Sequence, residues 1–328
     1  MPHEVPNVSR VALAIGSSEA YAMGAAVTIH TALANLAADS TVRLIVMDGG
    51  MSRDSRARLT DVVRSVRPDT VIDWHVCEIA DFEGLPMSAW GAPAAYLRFL
   101  LPKVAGDIDG LVLYLDSDLL VRGNLAELVG SVTQAPAPIH AVRDYAHRTA
   151  ASVFGEPACL TLGIDPQVPY FNAGLMVIDL PSWRSTDVVA RAVSALRDHP
   201  ELTRFGDQDG LNIAVSSWQP LDDRWNVMVG IIDRYVDQTV RNPSERRAAG
   251  RALLRDAAVL HFVGPKKPWV PGHRGVGGRE YRRALLQSGW FRTWTEKAAW
   301  RMAYAVRSAQ LEGRRALRIG GNVIRKAG

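Results

Sequence analysis

The run Leu111-Val112-Leu113-Tyr114-Leu115-Asp116-Ser117-Asp118-Leu119-Leu120-Val121 constrains this chain more than any other stretch. Its apolar residues are too few to span a bilayer and suit a buried strand. Two carboxylates one residue apart interrupt it, and burying them unpaired is costly. They must meet a cation, a strong donor set or solvent. At the end of a central strand of an open α/β sheet, where ligands usually bind, hard oxygen ligands of this kind suit a divalent metal. Asp-x-Asp also caps strands that hold no ligand, so the rest of the chain decides between the two.

Around this run the pattern alternates between strand and helix. Residues 11–15 read as an apolar strand, and Gly16-Ser17-Ser18 after it are small enough to let a ligand approach the backbone. Residues 21–38 then read as a helix, and a strand, a small-residue turn and a helix N-terminus together make a nucleotide crevice. A strand at 42–48, a helix at 52–66 closed by Pro68 and a strand at 70–76 complete a β-α-β-α-β opening, the start of a mostly parallel sheet with helices on both faces. Residues 81–93 are loop-like, and 94–101 read as a short helix carrying Arg98 among apolar neighbours. Such an arginine either snorkels to solvent, the ordinary outcome, or is aimed at an anion. Further strands are expected at 139–142 and 175–180, and helices at 125–129, 187–197, 211–216 and 241–255. Residues 143–168, with Gly155, Pro157, Gly163 and Pro166, read as an excursion over a site. The apolar strand ending in His261 runs into Gly264-Pro265-Lys266-Lys267-Pro268-Trp269. A histidine after a strand is more often structural than a ligand. This loop changes the balance, because it can bring an ammonium and backbone N–H groups onto phosphate oxygens.

Composition removes several classes. Cys77 and Cys159 form neither a disulfide framework nor a metal spacing and suit a reducing compartment. Residues 1–10 lack the pattern of a signal peptide and no run approaches a membrane span, so a cytoplasmic protein is expected. The net charge of +4 is uneven: residues 290–328 carry nine Lys/Arg against two Glu, +7, which leaves −3 for residues 1–289. That basic tail interleaves arginines with Trp290, Phe291, Trp294, Trp300 and Met302, the composition of an amphipathic helix on an anionic membrane surface. A solvated helix packed on the body has the same composition. Nucleic-acid binding is not expected, since the charge lies on no groove-fitting fold.

Five blocks, in order over roughly residues 11–290, resemble the retaining family 8 glycosyltransferases, which include bacterial galactosyl- and glucosyltransferases and the glycogenins. They are residues 21–35, Tyr96–Arg98, residues 112–121 with Asp-Ser-Asp followed by Val-Arg-Gly-Asn-Leu, Tyr170–Gly174 with Asp207-Gln208-Asp209, and His-x-x-Gly-Pro-x-Lys-Pro-Trp at 261–269. The resemblance implies a GT-A fold over residues 1–289 with the basic tail appended. It implies Mn²⁺, or Mg²⁺, on Asp116, Asp118 and His261, bridging the diphosphate of a nucleotide sugar. Two carboxylates and an imidazole suit Mn²⁺, whereas all-oxygen sites suit Mg²⁺. Gly264 and Lys267 match the family's diphosphate positions, and Arg98, Asn172, Asp207 and Gln208 match positions lining the donor sugar. Gly16, Ser18 and Ser117 complete the expected donor contacts. In one departure, Ser18 and Ala20 stand where the family usually has an Asp and an Asn gripping uracil and ribose.

The expected activity is metal-dependent transfer of a hexose, with retention, from a nucleotide sugar (UDP-linked in the family) to a hydroxyl of a glycan, lipid-linked or small-molecule acceptor. Asp207 and Gln208 are the candidates at the reacting carbon. A weak amide and a carboxylate at unknown distance favour front-face attack, in which the leaving diphosphate takes the acceptor's proton. A self-glycosylating primer and a non-catalytic nucleotide-sugar binder are the alternatives. A nucleotidyltransferase fits less well, since the first turn carries no Gly-rich basic loop.

Overall fold

The computed structural model describes residues 10–87, 93–132, 137–215, 217–232, 242–273 and 275–326, with side chains of the last helix as far as residue 311. Its centre is a seven-stranded sheet built from β1 (Arg10–Ser17), β2 (Thr41–Asp48), β3 (Val71–Val76), β4 (Leu111–Leu115), β6 (Ile139–Arg143), β7 (Phe171–Asp179) and β8 (Gln219–Pro220), in the order β3-β2-β1-β4-β7-β6-β8. The block β3-β2-β1-β4 is parallel, whereas β7 runs antiparallel to both β4 and β6. A second, three-stranded sheet joins β5 (Leu119–Val121), β9 (Val227–Met228) and β10 (Val259–His261), with β10 in the middle. The expected single sheet is thus the main one, and a small companion lies where the carboxylate run ends.

Helices cover both faces because the buried strands present apolar side chains to both. Ala22–Ala34 and Arg53–Val66 pack with β1, β2 and the small sheet in one apolar cluster around Leu13, Ile15, Leu113, Leu119 and Leu260. Pro93–Leu100, Leu180–Ser185 and Val188–Asp198 cover the other face around Tyr96, Tyr114, Met176 and Trp183. Arg53–Val66 begins where expected, the Ser52 side chain accepting from Ser55 N at 3.1 Å as N-cap.

The apolar run 111–121 is two strands, with Asp116-Ser117-Asp118 as the crossover between the sheets. Asp116 N donates to Gly174 O at 2.8 Å as the last rung of the main sheet. Leu119 then pairs with His261 in the small one, and Phe262 N donates to Asp118 O at 3.1 Å. The first helix supports this crossover: the Thr28 and Thr31 hydroxyls accept from Leu119 N and Val121 N, both at 3.1 Å. Gly24 makes the approach tolerable, since a Cβ there would lie 2.4 Å from Ser117 O and 2.7 Å from the Trp269 ring.

The basic tail begins inside the body. Trp290 and Phe291 are buried in the larger apolar cluster, and a helix spans Trp294–Lys326. Arg58 holds its start through Glu296 at 2.9 Å and Trp290 O at 3.0 Å, and Arg292 pairs with Asp61 at 2.7 Å. Further along, Gly272 N donates to Ser308 Oγ at 3.1 Å. Trp294 and Met302 remain 79% and 70% exposed and Val306 is exposed as well, whereas Leu311 lies against Gly272. Among the described residues no helix is long and apolar enough to cross a membrane.

Candidate active site

The crossover delivers Asp116 and Asp118 to the C-terminal end of β4, and the register of β5 against β10 sets His261 beside them. His261 Nε2 lies 3.3 Å from Asp118 Oδ1 and 3.9 Å from Asp116 Oδ2. Two cations close the cluster. Arg98 Nη2 donates to Asp116 Oδ1 at 2.8 Å, and its Nε lies 2.9 Å from Asp207 Oδ2. The Lys267 ammonium donates to Asp118 Oδ2 and to Phe262 O. Snorkelling of Arg98 is therefore overturned. Its guanidinium is buried, lies 4.7 Å over the Tyr114 ring and also donates to Ala173 O at 2.5 Å. The reason is tertiary: the short helix Pro93–Leu100 lies against β1 and β2, with Arg98 reaching the Tyr114 ring of β4, so its apolar side faces the sheet and carries the arginine to the carboxylates.

The electrostatics follow from burial. Burial pushes Asp116 up against the opposing pull of Arg98. Burial acts on Asp118 the same way, but the Lys267 ammonium opposes it most strongly, and that carboxyl stays well below the usual range. Burial lowers Lys267, and the Asp118 carboxylate more than restores it, so the ammonium stays protonated. Asp207 is raised to about 6 by burial, with Arg98 opposing and Asp116 adding to the rise.

Two features of the cluster fit a divalent cation. Asp118 Oδ1 is buried without a hydrogen-bond partner, and it faces the imidazole nitrogen at 3.3 Å. Among the described residues, Asp116, Asp118 and Asp207 also share two permanent cations, Arg98 and Lys267, beside His261, a deficit of positive charge that burial makes expensive. Asp116, Asp118 and His261 each offer one ligand atom within 4.8 Å of the others. Their donor set, two oxygens and one nitrogen, is of the kind Mn²⁺ accepts.

The expected donor contacts divide between two cavities. Gly16, Ser18, Arg98, Asp116, Ser117, Asp118 and Lys267 line one of about 150 Å³. Asn172, Gln208 and Gly264 line another of about 660 Å³, together with His147, Phe205, Lys266 and His273. Lys267 and Gly264, expected on one diphosphate, thus lie on different cavities. Ser117 Oγ is engaged within the fold, donating to Gly16 O at 3.0 Å. Asp207 lies behind Arg98, and Gln208 accepts from Asn172 Nδ2 and Ala173 N, both at 3.1 Å.

Four residues of the site escaped the sequence reading. Tyr114 donates to Asp116 Oδ1 at 3.2 Å, Asn226 contacts His261 and Asn172, and Gly174 lies directly under the His261 ring. Asp209, the third residue of Asp207-Gln208-Asp209, is fully buried and accepts from Tyr170 at 2.5 Å and from Phe205 N at 2.6 Å. Asp209 had the clearest signal, a second carboxylate two residues from the first, while Tyr114 and Gly174 stand within the family-like blocks without a role of their own.

An open α/β sheet with an Asp-x-Asp crossover at its switch point, facing a histidine from a second small sheet, defines a glycosyltransferase of the GT-A class. The chain belongs to glycosyl transferase family 8, whose family model matches residues 12–271. It is 26% identical over 264 residues to general stress protein A of Bacillus subtilis, covering 79% of this chain and 87% of that one. It is 27% identical over 205 residues to the lipopolysaccharide 1,3-galactosyltransferase of Salmonella typhimurium, covering 61% and 56%. This chain therefore spans little more than half of that enzyme's length. In fold it is similar to the galactosyltransferase LgtC solved with donor and acceptor sugar analogues, at TM-score 0.65 and 23% identity over 84% of this chain and 95% of that one. It is also similar to the bifunctional glycosyltransferase WbbM, at TM-score 0.68 and 21% identity over 84% and 50%.

Proposed function

We propose that this protein transfers a hexose, with retention, from a nucleoside-diphosphate sugar to a hydroxyl of a glycan or lipid-linked glycan. In this reading Mn²⁺ is held by Asp116, Asp118 and His261. The observation that carries it is the partnerless Asp118 Oδ1 facing His261 Nε2 at 3.3 Å, within a glycosyltransferase fold.

A cation bound there supplies charge neutralisation to the departing diphosphate. The protein's own part is positioning. Lys267 carries a fixed ammonium and serves as a hydrogen-bond donor to phosphate oxygens, not as a base. Arg98, anchored by Asp116, Asp207 and Ala173 O, holds the sugar side of the cleft in place. Asp207 is turned toward Arg98, and both ends of the Gln208 amide are engaged, Nε2 donating to Tyr170 Oη at 3.3 Å. Neither is presented as a nucleophile, which supports front-face attack with the diphosphate oxygen accepting the acceptor's proton. The larger cavity, with His147, Phe205 and His273 on its wall, suits the apolar faces of acceptor sugars. Ser18, without the family's acid, leaves base recognition to hydroxyl and backbone groups.

The exposed Trp294, Met302 and Val306 on a basic helix support a peripheral association with an anionic membrane at its cytoplasmic face. Co-sedimentation with anionic liposomes, with and without residues 294–328, tests this, and equal pelleting of the two dismisses it. The function itself is tested by assaying a panel of nucleotide sugars for slow hydrolysis with Mn²⁺ and with EDTA. Metal-dependent release of a nucleoside diphosphate is expected from one of them. Metal-independent release, or none across the panel, refutes the proposal.

A further inference from the structure

We infer that Asn226 is the positioning residue that presents His261 to the cation and ties this ligand to the donor-sugar side of the cleft. The inference rests on the metal-dependent reading above and adds a residue with no assigned role. Asn226 is fully buried, and it is brought to His261 by the pairing of β9 with β10, in which Met228 stands opposite His261.

Donors and acceptors fix how each amide is turned. Gly174 N, a backbone donor that cannot be reversed, points at Asn172 Oδ1 at 3.1 Å, which fixes that atom as oxygen. The same oxygen meets the Asn226 amide at 2.9 Å, so the Asn226 atom facing it is the NH₂. Asn226 Oδ1 is then left facing His261 Nδ1 at 2.9 Å, and Nδ1 must carry the proton. In the neutral imidazole, the form that can ligate a metal, His261 Nε2 then directs a lone pair at the partnerless Asp118 Oδ1, an arrangement that is unfavourable alone and complementary to a cation.

The chain also runs the other way. Ala173 N fixes Gln208 Oε1 as an acceptor at 3.1 Å, and Asn172 Nδ2 donates to the same oxygen. Two successive backbone donors of β7, beside the register shift where Ala141 faces Met176 but Val142 faces Asn172, thus set the polarity from His261 to Gln208. Asparagine suits position 226 because it accepts at one end and donates at the other. Aspartate keeps the first function and loses the second, and leucine loses both.

The test is a Mn²⁺ titration of the full chain, followed by the electron-spin resonance of free Mn²⁺, for wild type, Asn226→Leu and Asn226→Asp. Metal-free protein labelled with ¹⁵N-histidine gives the His261 tautomer by NMR at neutral pH, and thermal melts check folding. Wild type should show the Nδ1–H tautomer. Asn226→Leu should lose it and bind Mn²⁺ about 10–100-fold more weakly, the usual cost of removing a partner of a metal-bound histidine. Asn226→Asp should stay within about tenfold of wild type, since a carboxylate still accepts from Nδ1–H. An unchanged affinity in Asn226→Leu overturns the inference. So does equal weakening in both variants, or a wild-type His261 protonated on Nε2. Should Asn226→Leu not fold, the wild-type tautomer and Asn226→Asp still decide. A wild type that binds no Mn²⁺ refutes the metal reading itself, and this outcome is read before any variant is compared.

Discussion

Gly174→Ala is the sharpest probe of how the site is packed. Gly174 lies in β7, buried on both faces and hydrogen-bonded to the Asp116 crossover, so its backbone has little freedom to move. A methyl group there would stand 2.1 Å from His261 Cε1 and within 2.9 Å of both ring nitrogens. To reach the 3.4 Å of ordinary contact the ring must retreat by about 1.3 Å. Metal–ligand distances tolerate only about 0.2 Å, so the imidazole is lost as a ligand. Removing a mere partner of such a histidine costs up to about 100-fold, so the loss here should be at least that large, about 2.7 kcal/mol in binding free energy. The strain of overpacking should also cost about 1–3 kcal/mol of stability. Isothermal titration with Mn²⁺, beside urea denaturation, reads both quantities. Gly174→Ala protein that is folded and binds Mn²⁺ within about twofold of wild type would show that His261 is not a ligand.

Other perturbations have distinct outcomes. Asp118→Asn should abolish Mn²⁺ binding and turnover, measured by titration and by donor hydrolysis. Lys267→Ala should leave a folded protein whose turnover falls by about 10²–10³, the effect of one preorganised donor, and a wild-type rate would make the loop structural. Asp207 keeps its proton to about 6 in the native state, whereas an unfolded aspartate releases it near 4. The native state therefore binds more protons in that window, and stability falls as pH rises through it. Asp207→Asn should remove that part of the slope, of the order of 3 kcal/mol at most, in urea denaturation at a series of pH values. Arg58→Ala should speed hydrogen exchange at the start of the helix Trp294–Lys326 without changing Mn²⁺ affinity, because its partners Glu296 and Trp290 O lie away from the cleft.

What the sequence could reveal follows from how local each signal is. Asp116 and Asp118 are legible because carboxylates inside an apolar run cannot be left alone, and the register of the small sheet brings His261 opposite Leu119, next to them. The parallel opening of the sheet is legible from its alternating strands and helices. The split of residues 111–121 between two sheets is not, because Leu119-Leu120-Val121 is as apolar as Leu111–Leu115 and only the threonines of the first helix and β10 reveal which sheet it joins. The expected helix at 211–216 begins at Asp207, so the Asp-Gln-Asp motif occupies its first turn, and Ser216 lies outside the described residues. Residues 143–168 fold partly as short helices at Ala150–Phe154 and Glu156–Thr161, with Asp144 and His147 reaching the larger cavity. Asn226 and Gly174 were hidden because their roles exist only after distant strands pair. The basic tail was ambiguous for the same reason: one side of its helix packs on the body through Trp300 and Ser308 while Trp294 and Met302 face outward.

The most direct measurement is anomalous scattering at the manganese edge from crystals grown with Mn²⁺ and a nucleoside diphosphate. One peak is expected, bonded to Asp116, Asp118 and His261 Nε2 and to diphosphate oxygens, with Lys267 turned from Asp118 toward a phosphate. A peak bonded to other residues, or a diphosphate bound with no manganese between the two aspartates, would contradict the account.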